Sequence, residues 1–255
     1  MNFDALKTIW AREERISFQG WDFLYLESRW QEEGLPWDYR EIIQGYLKST
    51  DRLLDMGTGG GEFLLSLGHP YAYTAVTEAW APNLKVCKEK LEPLGIHVYP
   101  VEDDSRLPIH TDMFDIVINR HEAYDLHEVS RVLHPNGFLI TQQVGCNNNR
   151  DLSEYLIPDF VSQYSDFSLP AEKRKFEANG FEILFCDESF PEIRFFDVGA
   201  IVFYARRIPW EFPNFSVENN FRQLCSLHQE LTSNGFIGTR GHRFIIVARN
   251  GKTPE

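Results

Sequence analysis

Five short apolar runs, RLLDM (52–56), AYTAVT (72–77), IHVYPV (96–101), FDIVIN (114–119) and FLITQQV (138–144), alternate with helix-like stretches such as 83–94 and 122–133. A parallel strand needs a crossover long enough to bring the chain back to the same end of the sheet, and a helix of about ten residues does this while covering one sheet face. Pro93-Leu94-Gly95 and Pro135-Asn136-Gly137 stand where a helix must stop before the next strand. This rhythm predicts an α/β fold with a parallel sheet.

The flanks follow other patterns. Residues 1–48 read as helical, with Asp38 placed to cap a helix from Tyr39 through Leu47. This extension is rich in aromatics (Phe18, Trp21, Phe23, Tyr25, Trp30, Trp37, Tyr39), which fits either a flap packed on a core or an aromatic wall over a ligand. Ser168, Pro170 and Gly180 bracket a further helix in the order cap, early proline, closing glycine. Strands are expected at FEILFCD (181–187) and HRFIIVARN (242–250). Between them, 191–240 breaks the rhythm, with a helix around 197–206 and the aromatic segment IPWEFPNFSVE. The expected organisation is one domain over 1–255: a helical extension (1–49), a ligand-binding core (50–190), a substrate-side insertion (191–240) and a last strand (241–250).

The 38 Asp and Glu against 25 Lys and Arg give a net charge of −13, spread along the chain with no basic half. Phosphate backbones and anionic membranes are held by clustered cations, so the balance disfavours both as partners and leaves a small-molecule substrate as the expectation. The longest apolar stretch, near 198–205, falls far short of the roughly 20 residues of a bilayer span. The opening MNFDALKTIWAREER lacks the pattern of a secretory signal, and the four cysteines (Cys87, Cys146, Cys186, Cys225) form no CxxC pair. A cytoplasmic protein with reduced cysteines and no metal site is expected.

The most informative segment is LLDMGTGGGEFLLSL, 53–67. A strand ends at Asp55-Met56, a loop carries Gly57, Thr58, Gly59, Gly60 and Gly61, and a helix starts near Glu62. Glycines let the loop take positive φ and approach a ligand closely. A dinucleotide loop, GxGxxG, would place its third glycine where Glu62 stands, and a carboxylate there repels a pyrophosphate. The absence of GK[ST] excludes a nucleoside-triphosphate loop of the usual type.

An acidic residue followed by GxGxG, here Asp55, Gly57, Gly59 and Gly61, resembles motif I of the class I S-adenosylmethionine-dependent methyltransferases. Four further matches fall in order: Glu78 at the end of the second strand, Asp103 four residues before Leu107-Pro108, FDIV at 114–117, and EVSRVLHPNGFLIT at 128–141. The resemblance covers about residues 50–145, and HRFIIVAR is similar to that superfamily's last, antiparallel strand. It implies a Rossmann-like, doubly wound, mostly parallel seven-stranded sheet. It also implies S-adenosylmethionine as cofactor: Glu78 accepting from the ribose hydroxyls, Asp103 or its neighbour Asp104 from the adenine amino group, and Asp55 ordering the loop and helping hold the methionyl ammonium. Thr58 and Asn119 complete the expected cofactor set.

In-line methyl displacement from a sulfonium draws on alignment and desolvation, so a side-chain base is optional. The candidates for substrate chemistry lie at the tip of the fourth strand, where ligands of open α/β sheets bind: His121 as a base, Arg120 to orient an anionic acceptor, and Tyr124 as a pocket wall. HEAYD (121–125) resembles the zinc motif HExxH, but its second ligand is Asp and it straddles a strand end and a helix start. Gln142 and Gln143 are the next polar groups expected near the crevice. Phe195, Phe196, Trp210, Phe212 and Phe215 fit an acceptor pocket or, more commonly, core packing. The leading expectation is methyl transfer to a small or medium organic acceptor. An RNA base methyltransferase, suggested by the likeness of ITQQVGCNNNRDL to bacterial rRNA guanine methyltransferases, and a catalytically silent cofactor-binding regulator stay open.

Overall fold

The computed structural model describes residues 3–17 and 23–253; Phe18 and Trp21 of the aromatic extension lie outside the described residues. The chain forms two compact units, one from Met1–Leu35, Gly145–Phe167 and Ser189–Arg243, the other from Pro36–Val144, Ser168–Glu188 and Phe244–Glu255.

The second of these is built on a sheet of seven strands: β1 (Leu53–Met56), β2 (Thr74–Glu78), β3 (His97–Pro100), β4 (Phe114–Arg120), β5 (Leu133–Val144), β6 (Phe181–Ser189) and β7 (Arg243–Asn250). Their order is β3-β2-β1-β4-β5-β7-β6, mostly parallel with one antiparallel strand. β1 pairs in parallel with β2 (Met56 opposite Thr77) and with β4 (Met56 opposite Asn119), so these three strands end level. After β1 the chain adds β2 and β3 on one side, then returns to lay β4 on the other. The crossovers therefore change direction between β1 and β4, which opens a crevice at the carboxyl ends of those strands. β1 and β2 are buried along their whole length, as expected of strands covered on both faces. The polar residues Asp55, Thr77 and Glu78 sit within them nonetheless.

Five helices are needed to follow the site: α1 (Tyr39–Tyr46), α2 (Glu62–Ser66), α3 (Ala81–Lys90), α4 (Leu126–Val132) and α5 (Leu169–Ala178). Asp38 caps α1 by accepting from the Glu41 N–H at 3.0 Å, as the sequence predicts. Three boundaries differ from expectation. α3 stops at Lys90, and a tight turn through Leu94 delivers Gly95 at φ 89°. α4 starts at Leu126 rather than Glu122, because the Asp125 carboxylate accepts from the Glu128 N–H at 2.9 Å and fixes the helix start there. β5 begins at Leu133; Pro135-Asn136-Gly137 is an irregularity inside it, matched by a register shift between Phe114 and Ile116 on β4.

The other unit has a three-stranded antiparallel sheet, with Glu192–Phe195 between Trp30–Glu32 and Ile237–Arg240. Its helices are Phe3–Arg15, Arg150–Leu156, Val198–Arg207 and Phe221–Asn234. Eight consecutive residues of Val198–Arg207 are buried, which makes that helix the unit's central element. Phe195, Phe212 and Phe215 are buried in this unit's core and Trp210 packs against it, so they take the packing alternative; Phe196 is exposed. Among the described residues no helix is long and apolar enough to cross a membrane.

Candidate active site

The loop after β1 is fixed at both ends by its neighbours. Gly57 and Thr58 donate their N–H groups to the Thr77 carbonyl at 3.1 and 3.2 Å, tying the loop to the end of β2. The Gly59 N–H donates to Glu78 Oε2 at 3.0 Å. On the opposite side, Cys87 Sγ and Lys90 Nζ, one turn apart on α3, each donate at 2.9 Å to the carbonyls of Gly59 and Gly60. Gly57, Gly59 and Gly61 all take positive φ (66°, 62° and 75°), a conformation other residues adopt only with strain. Two of them have distinct surroundings. A Cβ on Gly57 would stand 2.4 Å from Glu122 Cγ, whereas a Cβ on Gly59 would meet no protein atom within 4 Å. The loop thus keeps one glycine for close packing and turns another toward open space.

Carboxylates gather at these strand ends. Asp55 is 5% exposed, and burial pushes its carboxyl up to about 7; the adjacent Glu78 charge adds to the shift, while the Thr58 hydroxyl and the Arg120 guanidinium oppose it. Thr58 Oγ1 is buried beside it without a well-formed hydrogen bond. Glu78 is buried and bound at both oxygens, Oε2 to the Gly59 N–H and Oε1 to the Trp80 N–H at 2.9 Å. Asp103 and Asp104 part company. Asp103 is exposed and its Oδ1 accepts from the Ser105 N–H and hydroxyl (2.9 and 2.7 Å), which hold its carboxyl below the usual range. Asp104 is half-buried and raised, first by burial, then by Asp103 and Asp125. Glu122, not singled out in the sequence as a cofactor contact, is half-buried over Gly57 and raised, first by burial and also by Asp104 and Glu78.

At the tip of β4, Asn119 is fully buried. Its Oδ1 accepts from Gln143 Nε2 at 2.6 Å and Thr141 Oγ1 at 3.3 Å, and its Nδ2 donates to the Ala123 carbonyl at 3.3 Å. Gln143 Nε2 also donates to the Glu122 carbonyl at 3.1 Å. These two amides hold the 120–124 loop. Arg120 lies over the Phe63 ring at 5.4 Å. His121 is exposed at φ 62°, its N–H donates to the Gln142 carbonyl at 2.9 Å, and its Nε2 lies 3.4 Å from Gln142 Nε2. Gln142 in turn accepts from Trp37 Nε1 at 2.8 Å. The Tyr124 hydroxyl donates to Glu172 Oε2 at 2.7 Å, on α5.

The structure therefore links Asp55, Gly57, Thr58, Gly59, Glu78, Asp104 and Glu122 around one loop. It commits Asp103 to a turn, Tyr124 to α5 and Asn119 to loop anchoring. The signal for Glu122 lay in HEAYD, where it reads as part of a zinc-like pattern. Among the described residues no three His, Cys, Asp or Glu side chains are grouped to hold a metal ion, and Asp125 of that pattern is a helix cap.

Residues 54–141 match the family model for a methyltransferase domain. No curated protein matches the chain in sequence. Among solved structures, a candidate methyltransferase from Bacillus halodurans C-125 is 18% identical with a TM-score of 0.58, the match covering 84% of this chain and 99% of that one. The YcgJ protein from Bacillus subtilis is 16% identical with a TM-score of 0.56, over 84% and 98% of the two chains. The [4+2]-cyclase SpnF is 15% identical with a TM-score of 0.52, over 84% and 80%. At these identities the likeness is one of fold, and SpnF illustrates that one fold carries more than one chemistry. The matched segment runs from β1 into β5 and contains the glycine loop with all its carboxylates: residues 54–141 match a methyltransferase domain, consistent with the class I superfamily, and lie in a Rossmann-like sheet.

Proposed function

We propose that the protein binds S-adenosylmethionine at the glycine loop and transfers its methyl group to a small or medium organic acceptor, in the cytoplasm. The observation that carries this reading is the sign of the site. Asp55, Asp104 and Glu122 all have carboxyl pKa values raised first by burial, and the charges that add to the shifts are Glu78 for Asp55, Asp103 and Asp125 for Asp104, and Asp104 and Glu78 for Glu122, with Arg120 beside Asp55 as the one opposing cation. Such a site repels the phosphates of a dinucleotide and suits a ligand with a sulfonium and an ammonium. The residues fit that ligand sterically as well, since the face of Gly59 is open.

In this reading Glu78, with each oxygen already taking a backbone N–H, keeps lone pairs for the ribose hydroxyls. Asp104 is the carboxylate placed for the adenine amino group, and Asp55 and Thr58 order the loop near the ammonium. A bound cofactor supplies a methyl group on a sulfonium, activated without further chemistry from the protein. His121, exposed beside Gln142, is the candidate to take a proton from an acceptor O–H or N–H near neutral pH, and Arg120 the candidate to orient an anionic one.

The test is titration calorimetry of the whole chain with S-adenosylmethionine and S-adenosylhomocysteine. Saturable binding of both is expected, weakened at least tenfold in Gly59→Ala. That methyl group meets only the ligand, and the left-handed backbone costs it about 1 kcal/mol. A folded wild-type chain that binds neither compound overturns the proposal.

A further inference from the structure

Glu122 has no assigned task in the reading above, yet it is the one of the four carboxylates that packs on the bare face of Gly57. Its Cγ and Oε2 lie 2.4 and 2.6 Å from where a Gly57 Cβ would stand, so the side chain rests on the bare Cα of that glycine. The loop that carries it is pinned from two strands, by Gln143 Nε2 on the Glu122 carbonyl (3.1 Å) and Asn119 Nδ2 on the Ala123 carbonyl (3.3 Å). Oε1 accepts weakly from the Ala123 N–H at 3.3 Å, and Oε2 takes no hydrogen bond among the described residues. The charged groups acting on it, Asp104 and Glu78, are both acidic. A half-buried carboxylate held against a glycine, among charges of its own sign, is stabilised by an incoming cation.

Which cation follows from those neighbours. Glu122 rests on Gly57, whose N–H donates to the carbonyl of Thr77, the residue before Glu78, the carboxylate proposed for the ribose. The ligand's charge next to the ribose is its sulfonium. We propose that Glu122 is the specificity-determining residue that reads the sulfonium charge, so that the protein favours S-adenosylmethionine over the thioether product, which is neutral at sulfur. The inference rests on the methyl-transfer reading. It adds a reason for product to leave: loss of the sulfonium charge strands the Glu122 carboxylate.

The test compares three ligands on the full chain by titration calorimetry: S-adenosylmethionine, S-adenosylhomocysteine, and sinefungin, which carries a protonated amine near the position of the sulfonium methyl. The wild type is expected to bind both cationic ligands about tenfold or more tighter than S-adenosylhomocysteine, as one poorly screened charge pair allows. Glu122→Gln should bring all three to within about twofold of one another, leaving the affinity for S-adenosylhomocysteine unchanged, and Glu122→Asp should fall between. Thermal unfolding checks that each variant is folded; should the Gln variant fail to fold, a narrowed preference in Glu122→Asp carries the same test. Equal weakening of all three ligands, or an undiminished preference in a folded variant, overturns the inference and leaves cofactor binding intact. A wild type that binds none of the three removes the methyl-transfer reading and this inference together.

Discussion

The carboxylates of the three-stranded unit and those around the glycine loop are similarly withdrawn from water but differently provided for. In the first unit, Arg29 bridges Glu13 at 3.1 Å and Asp197 at 2.6 Å, and Asp197 also caps Val198–Arg207 through the Ala200 N–H at 2.8 Å. Arg243 meets Glu32 at 2.9 Å. Glu211, raised by burial, is clamped by the side-chain amides of Asn148 and Asn149 at 2.7 and 2.8 Å. Around the loop, by contrast, the charges that shift Asp104 (Asp103 and Asp125) and Glu122 (Asp104 and Glu78) are all carboxylates. Nor is this a property of the whole sheet unit. Glu128, away from the loop, is paired with Arg131 at 2.7 Å and accepts from the Leu107 N–H at 2.8 Å, which lowers its carboxyl. Paired charges hold a scaffold together, whereas unneutralised ones lower stability and keep their affinity for an incoming ligand.

The largest expected effect is at Asp55. A carboxyl raised to about 7 in the folded chain is an ordinary acid, near 3.8, when unfolded. The folded state therefore holds its proton between those values while the unfolded state releases it, so stability is full below about 4 and falls as pH rises to about 7. The loss corresponds to about 4 kcal/mol. Asp55→Asn removes the titration: without ligand, it should exceed the wild type in stability at pH 8 by up to that amount, the gap closing toward pH 4. Urea unfolding across this range reads it, and parallel pH profiles for the two proteins would erase the contrast. The converse in the other unit is Arg243→Met, which strands Glu32 and should lower stability by about 3 kcal/mol in urea unfolding at pH 7. A loss below about 1 kcal/mol would mean that these ion pairs do not support the unit.

How much of this could be read beforehand depended on whether the determining contacts were local. The strands 53–56 and 74–78 show as short, mainly apolar runs because both sheet faces are covered, with polar residues only toward their ends, and the glycines are marked by their conformation, so loop and sheet were both legible. The start of α4 was not, since helix-favouring residues from Glu122 onward are overruled by one capping carboxylate at Asp125. Trp30–Glu32 pairs with Glu192–Phe195 across most of the chain's length, and strands of three or four residues are too short to show a period. That Asp103 and not Asp104 accepts from Ser105 depends on a turn the sequence does not mark, and Glu122 was obscured by its place in a metal-like pattern.

Tyr124 offers the smallest and most discriminating case, because the sequence suggests a pocket wall and the structure shows its hydroxyl bound to α5. Its hydroxyl donates to Glu172 Oε2 at 2.7 Å, Glu172 is 2% exposed and paired through Oε1 with Lys175 at 2.6 Å, and the ring meets Phe176 edge-on at 6.0 Å. Burial, then the Glu172 charge, pushes the phenol well above its usual range. Tyr124→Phe keeps the ring and removes one hydrogen bond to a carboxylate that retains its lysine. About 1.5 kcal/mol of stability should be lost, read as a lower urea midpoint with an unchanged slope, and the affinity for S-adenosylmethionine should stay within twofold. The two readouts separate the roles: a stability loss alone makes Tyr124 a strut between the β4 loop and α5, whereas a tenfold loss of affinity at unchanged stability would place it among the groups that touch the ligand.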